Sequence, residues 1–181
     1  MTVTKKPDAK SKRHEKKLHG GKYMSAMNEY KVIQTYDTII RAFKNLQYTY
    51  QRNDEEFFVF SSFKGDCMKI PLLVGVERSS HRVFLKSRLP FIVSYPNRET
   101  VAVALCVLNN RLANGYFDFD FTEGIINFMM FNPLKDSILG EELFEYMIKT
   151  ALLTVDEYNS PIFKLSEATI SFKDFISELT K

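Results

Sequence analysis

Residues 107–134 read VLNNRLANGYFDFDFTEGIINFMMFNPL, and the fold is decided there. From Tyr116 to Phe121 the chain alternates strictly. Phe117, Phe119 and Phe121 fall on one face; Tyr116, Asp118 and Asp120 fall on the other. That period of two marks a half-buried strand. Glu123-Gly124 is a turn, and Ile125 to Phe131 returns as a second strand, apolar on both faces apart from Asn127. Two such runs joined by a short polar turn form an antiparallel hairpin. Ile126, Phe128 and Met130 then join the Phe117 face in the core. Ile125, Met129 and Phe131 lie on the opposite face beside Tyr116, Asp118 and Asp120.

Before this hairpin, Pro96-Asn97 starts a helix with Asn97 as its N-cap and a stripe of Val101, Leu105, Leu108 and Leu112. Asn114-Gly115 closes it. Further upstream lie three strand-like runs: Phe57 to Phe63, Met68 to Glu77 and Arg82 to Val93. Short polar turns separate them, which favours an antiparallel meander. Pro71 belongs at an edge or bulge, and Pro90 bends or ends the third run. Between Glu29 and Leu46, Val32, Tyr36, Ile39, Phe43 and Leu46 recur at helical spacing.

Downstream, a helix is expected over Gly140 to Tyr158, stopped by Pro161. A short last helix follows, with Ser171 and Asp174 at capping-box spacing. The fold class is therefore α+β: an antiparallel sheet with packed helices in the order α-β-β-β-α-β-β-α, plus a short C-terminal helix.

Residues 1–23 differ from the rest. Eight basic side chains against Asp8 and Glu15 give residues 1–22 a net charge of +6. The whole chain carries +3, so the remainder is at −3. With almost no apolar content, 1–23 reads as a disordered basic tail, and 24–181 as a single α+β domain. About 160 residues can bury roughly 70% of their unfolded surface, so the core needs no disulfide or metal. Cys67 and Cys106 are not closely spaced and read as reduced structural residues. There is no apolar h-region at the start and no run long enough to span a bilayer, so a cytoplasmic protein is expected.

The quoted stretch resembles the central segment of the YbjN family: a helix ending in an asparagine-containing turn, an alternating apolar and acidic strand, an acidic-Gly turn, and a returning strand ending near Pro133-Leu134. The continuation GEELFEYMIKTALLTVDEYNSPIF, residues 140–163, resembles that family's following helix with its late Asp and Tyr. The resemblance covers about Asn97 to Pro161 and extends by element order back to Tyr30. It implies a fold similar to type III secretion chaperones, often dimeric. It also implies a role described as bacterial sensory transduction regulation, and it supplies no catalytic residues.

Chemistry-bearing groups are sparse. His14 and His19 lie in the tail, and His81 sits at a hairpin turn. A catalytic His needs a packed, orienting shell, which a turn does not provide. With two separated cysteines, a zinc site lacks ligands. No Gly-rich phosphate cradle is present. Asp118, Asp120 and Glu123 could serve a metal or acid/base chemistry, yet they also suit the wet face of a hairpin. The basic tail could contact phosphates, but it has no aromatic residue before Tyr23 to stack bases.

The expectation is a non-enzymatic protein-interaction domain without a cofactor, either a sensory transduction regulator or a chaperone-like adaptor. Its partner is a protein, with a homodimer as one form; no membrane or nucleic acid is expected. The expected interface residues are Tyr116, Ile125, Met129 and Phe131, the alternative being that the third or last helix covers their face and makes it ordinary core. The alternatives are a metal-dependent enzyme or binding protein using Asp118, Asp120 and Glu123, and a weak nucleic-acid binder acting through the tail.

Overall fold

Extended segments whose alternate side chains are apolar need one covered face, and here helices supply it. The structure is a computed structural model in which residues 29–134 and 139–179 are described. The expected tail at 1–23 lies outside the described residues. Helix α1 occupies 29–45. Strands β1 (Gln51–Asn53), β2 (Phe58–Lys64), β3 (Lys69–Glu77) and β4 (Arg82–Ile92) follow. A 3-10 turn at Tyr95–Asn97 leads into α2 (Arg98–Asn109). Then come β5 (Tyr116–Asp120), β6 (Ile125–Pro133), α3 (Glu141–Ser166) and α4 (Phe172–Glu178).

The strands form one six-stranded antiparallel sheet in the order β1-β2-β3-β4-β6-β5. Parity assigns every side chain a face. Val59, Leu72, Val74, Val83, Leu85, Leu89, Phe117, Ile126, Phe128 and Met130 are all buried and point to the same side. There they meet Phe43 of α1, Leu105 and Leu108 of α2, Phe144, Met147 and Ile148 of α3, and Phe175 of α4 in one apolar cluster. The domain is α+β with two layers, sheet and helices, as the sequence predicts.

Local features lock these layers together. Asp156 of α3 accepts a hydrogen bond from the backbone N–H of Asp66, pinning the β2–β3 turn. Arg98 donates to the carbonyls of Val93, Phe121 and Thr122, tying the β5–β6 turn to the start of α2. The Tyr36 hydroxyl of α1 donates to Asp54 at 2.9 Å. Burial, reinforced by that carboxylate, pushes the Tyr36 hydroxyl well above its ordinary range. The capping box at Ser171 and Asp174 forms as expected.

Several local expectations are corrected. A short edge strand, β1, precedes the expected three. The third helix does not stop before Pro161 but runs through it to Ser166. A helical proline costs about 3 kcal/mol, whereas burying Ile162 and Leu165 beyond it returns about 1.5–3 kcal/mol each. Asn97 is not a side-chain N-cap; its amide instead donates to the Ser166 carbonyl at 2.8 Å, joining α2 to the end of α3. Helix α2 ends at Asn109, before Asn114-Gly115. Gly115 instead turns the chain into β5 at φ +78°, where a Cβ would clash with the Phe128 ring. Phe121 lies beyond β5 and is 46% exposed. Cys67 and Cys106 are both exposed rather than buried: one lies between β2 and β3, the other on the outer side of α2.

Candidate functional site: the uncovered face of the sheet

Among the described residues the helices occupy one side of the sheet, leaving the other to its own side chains. On that outer face the register aligns Gln51, Phe60, Leu73, Lys86, Met129 and Tyr116 in one row across all six strands. A second row runs Asn53, Phe58, Gly75, Phe84, Phe131. Adjacent strands lie about 4.8 Å apart, so between Gln51 and Asn53 at one edge and Tyr116 at the other these side chains form an apolar band that only Lys86 interrupts. Phe60 and Tyr116 are exposed; Phe58, Leu73, Phe84, Met129 and Phe131 are half-buried. Gly75 makes the second row compact, because a Cβ there would lie 2.9 Å from the Phe84 ring.

Polar rows border the band. On one side Arg88, Asn127 and Asp118 align across β4, β6 and β5. Asn127 is buried among them, and its Oδ1 has no hydrogen-bond partner among the described residues. On the other side Glu77 and Arg82 form an ion pair at 2.5 Å. Hydrogen bonds from Ser80 and then Arg82 hold the Glu77 carboxyl below its usual range. The Arg82 guanidinium also lies 4.2 Å from the centroid of the Phe131 ring.

The four residues singled out from the sequence share this face. Tyr116 pairs with Met129, and their neighbour Phe131 has its ring 6.5 Å from that of Tyr116. Ile125 sits apart from them at the far end of β6, opposite Ile92. Sequence reading missed Phe58, Phe60, Leu73 and Phe84. Their alternation was available in β2 and β4, but no sequence signal gives the lateral register that joins them to Met129.

The carboxylates are placed differently. Asp120 accepts hydrogen bonds from the N–H groups of Thr122 and Glu123, so it shapes the β5–β6 turn. Asp118 faces Asn127 on the outer face, and Glu123 is exposed. Among the described residues, no group of three or more His, Cys, Asp or Glu side chains is placed to hold a metal ion. His81 is an exposed turn residue at φ +48° whose carbonyl accepts from Leu134. No helix among the described residues is long and apolar enough to cross a membrane.

The outer face also contains a cleft of about 490 Å³ at the end of the sheet where β3 and β4 part. Their pairing ends at Leu73 opposite Lys86, and the β4–β6 register shifts between Arg88 and Ile92. Pro71 and Pro90 lack the N–H groups that would continue a ladder there. Leu72 and Leu89 form the floor; Phe60, Leu73, Phe91 and Ile92 form apolar walls, and Lys86 and Arg88 sit among them.

No protein-family model matches the chain, and no curated protein matches it. Solved structures similar to it include the ExsC–ExsE complex, at 17% identity and a TM-score of 0.49, over 70% of this chain and 91% of that one. The HopA1–SchA chaperone–effector complex matches at 15% identity and a TM-score of 0.47, over 76% and 97% of the two chains. YbjN from E. coli matches at 9% identity and a TM-score of 0.49, over 69% and 91%. These are likenesses of fold alone, at low identity.

Proposed function

We propose that this chain is a non-enzymatic protein-interaction domain that binds a partner protein on the uncovered face of its sheet. The observation that carries the proposal is the apolar band from Phe60 through Leu73 to Met129 and Tyr116, which no described element covers. Apolar side chains left contiguous on one sheet face, bordered by charged rows, have the composition of a recognition patch rather than of ordinary surface. Met129 adds an adaptable contact, and Tyr116 an aromatic one with a polar tip. Tyr116, Ile125, Met129 and Phe131 are the proposed contact residues, joined by Phe60 and Leu73. The role is that of a chaperone-like adaptor or regulator, exerted by holding another chain.

The test is affinity capture with the full chain and with Met129→Asp, folding being checked by circular dichroism. A partner held by the parent and lost by a folded Met129→Asp variant supports the proposal. A partner retained equally by both contradicts it. Light scattering of the same proteins distinguishes a second copy from a foreign partner.

A further inference from the structure

The cleft where β3 and β4 part specifies what kind of segment the sheet face receives. Its charge is one-sided: Lys86 and Arg88 line it, and none of its lining residues is acidic. Neither cation makes an ion pair or hydrogen bond among the described residues, whereas Arg41, Arg52, Arg78 and Arg82 all have carboxylate partners. Lys86 stands in the apolar row between Leu73 and Met129, so its stem lies along apolar surface and its ammonium is the polar group left for a ligand. Arg88 borders Asn127, with Asp118 one strand further away.

Resting on the reading of this face as a protein-binding surface, we propose that the cleft takes an extended segment of the partner in which large apolar side chains alternate with carboxylates. The apolar side chains would fill the space over Leu72 and Leu89, and the carboxylates would pair with Lys86 and Arg88. A cleft of this volume is within the range of specific ligand sites. It is not an isolated pocket, however: Phe60, Leu73 and Lys86 belong both to it and to the row that runs on to Met129 and Tyr116. That continuity suits a chain crossing the sheet better than a compact small molecule. Residues 1–22 of this chain carry a net +6 and are the wrong sign for two unpaired cations.

Fluorescence anisotropy with the full-length protein tests this, using a labelled LEFELEF peptide, its lysine counterpart LKFKLKF, the peptide YFDFDFTE matching residues 116–123, and sodium laurate as competitor. The expected result is saturable binding of LEFELEF but not LKFKLKF, weakened by salt. In the Lys86→Glu/Arg88→Glu variant its dissociation constant rises about tenfold or more, and LKFKLKF gains affinity. Neither side chain makes an ion pair or hydrogen bond among the described residues, and circular dichroism checks that the variant keeps its fold. Equal binding of the two peptides, or indifference to charge reversal, overturns the proposal. Laurate binding without LEFELEF binding also overturns it, in favour of a small amphiphile. Markedly tighter binding of YFDFDFTE, which alternates in the same way, supports the proposal and makes the partner a second copy. If partner capture is lost with Met129→Asp but survives the charge reversal, the sheet-face reading stands and the acidic segment alone is refuted.

Discussion

The side-chain amide of Asn109 hydrogen-bonds both backbone groups of Phe117: the Phe117 N–H donates to Oδ1 at 2.7 Å, and Nδ2 donates to the Phe117 carbonyl at 3.0 Å. Strand β5 is an edge of the sheet, and Phe117 lies at its centre. One carboxamide at the end of α2 thus imitates the neighbouring strand that β5 lacks. It occupies the two backbone groups most able to pair with another chain.

Asn109→Ala removes both bonds and leaves two backbone groups without them. We expect a loss of about 1–3 kcal/mol, read as a lower urea midpoint, together with new self-association in light scattering. An unchanged midpoint in a monodisperse sample would show that the cap is unimportant.

Phe128 and Met129 are adjacent but face opposite layers. Phe128→Ala should cost about 3–5 kcal/mol, because the ring is wholly buried and packs at 5.2 Å from Phe117. Met129→Ser should cost about 1 kcal/mol or less and abolish partner binding. Denaturation curves of the two variants decide whether the outer face is core or surface; comparable losses would make it core.

Asn159 of α3 is 1% exposed, and neither polar atom of its amide has a hydrogen-bond partner among the described residues. Replacing it by Leu, similar in size and apolar, should stabilise the domain by about 1–2 kcal/mol. Thermal unfolding would show a raised midpoint, whereas a lowered midpoint would indicate that the amide has a role in folding.

Hydrogen bonds from Arg41 and then Asn45 hold the Glu141 carboxyl below its ordinary value of 4.5, and Glu77 is lowered by Ser80 and Arg82. With the folded value below the unfolded one, the unfolded chain binds more protons. The contribution is therefore full above about pH 4.5 and fades as the pH falls through the folded value. Arg41→Gln should flatten that acid-side decline relative to the parent, measured as urea midpoint against pH. An identical decline in the two proteins would remove the Arg41–Glu141 pair from the account.

Much of this was legible in the sequence, for identifiable reasons. Strict alternation placed Phe117 inward with Ile126, Phe128 and Met130, and set Met129 beside Tyr116 on the other face. What escaped was non-local. Gln51–Asn53 is too short and polar to show a strand period, and it is extended because β2 pairs with it. Pro161 stays helical because Ile162 and Leu165 are drawn into the core. The band joining Phe60 to Tyr116 depends on the order β2-β3-β4-β6-β5, and the cleft depends on where two prolines end a ladder. Single-strand patterns do not encode lateral neighbours. The resemblance to the YbjN family lay over about Asn97 to Pro161, whereas the proposed site spans the whole sheet.

Site-specific photo-crosslinking reports which layer of the domain touches the partner. A photoreactive phenylalanine analogue is placed in turn at Met129, on the outer face, and at Leu153, which is 72% exposed on the opposite, helical layer. The account predicts a crosslinked partner from position 129 and none from position 153. Crosslinking from 153 with none from 129 would contradict it and move the binding surface to the helices.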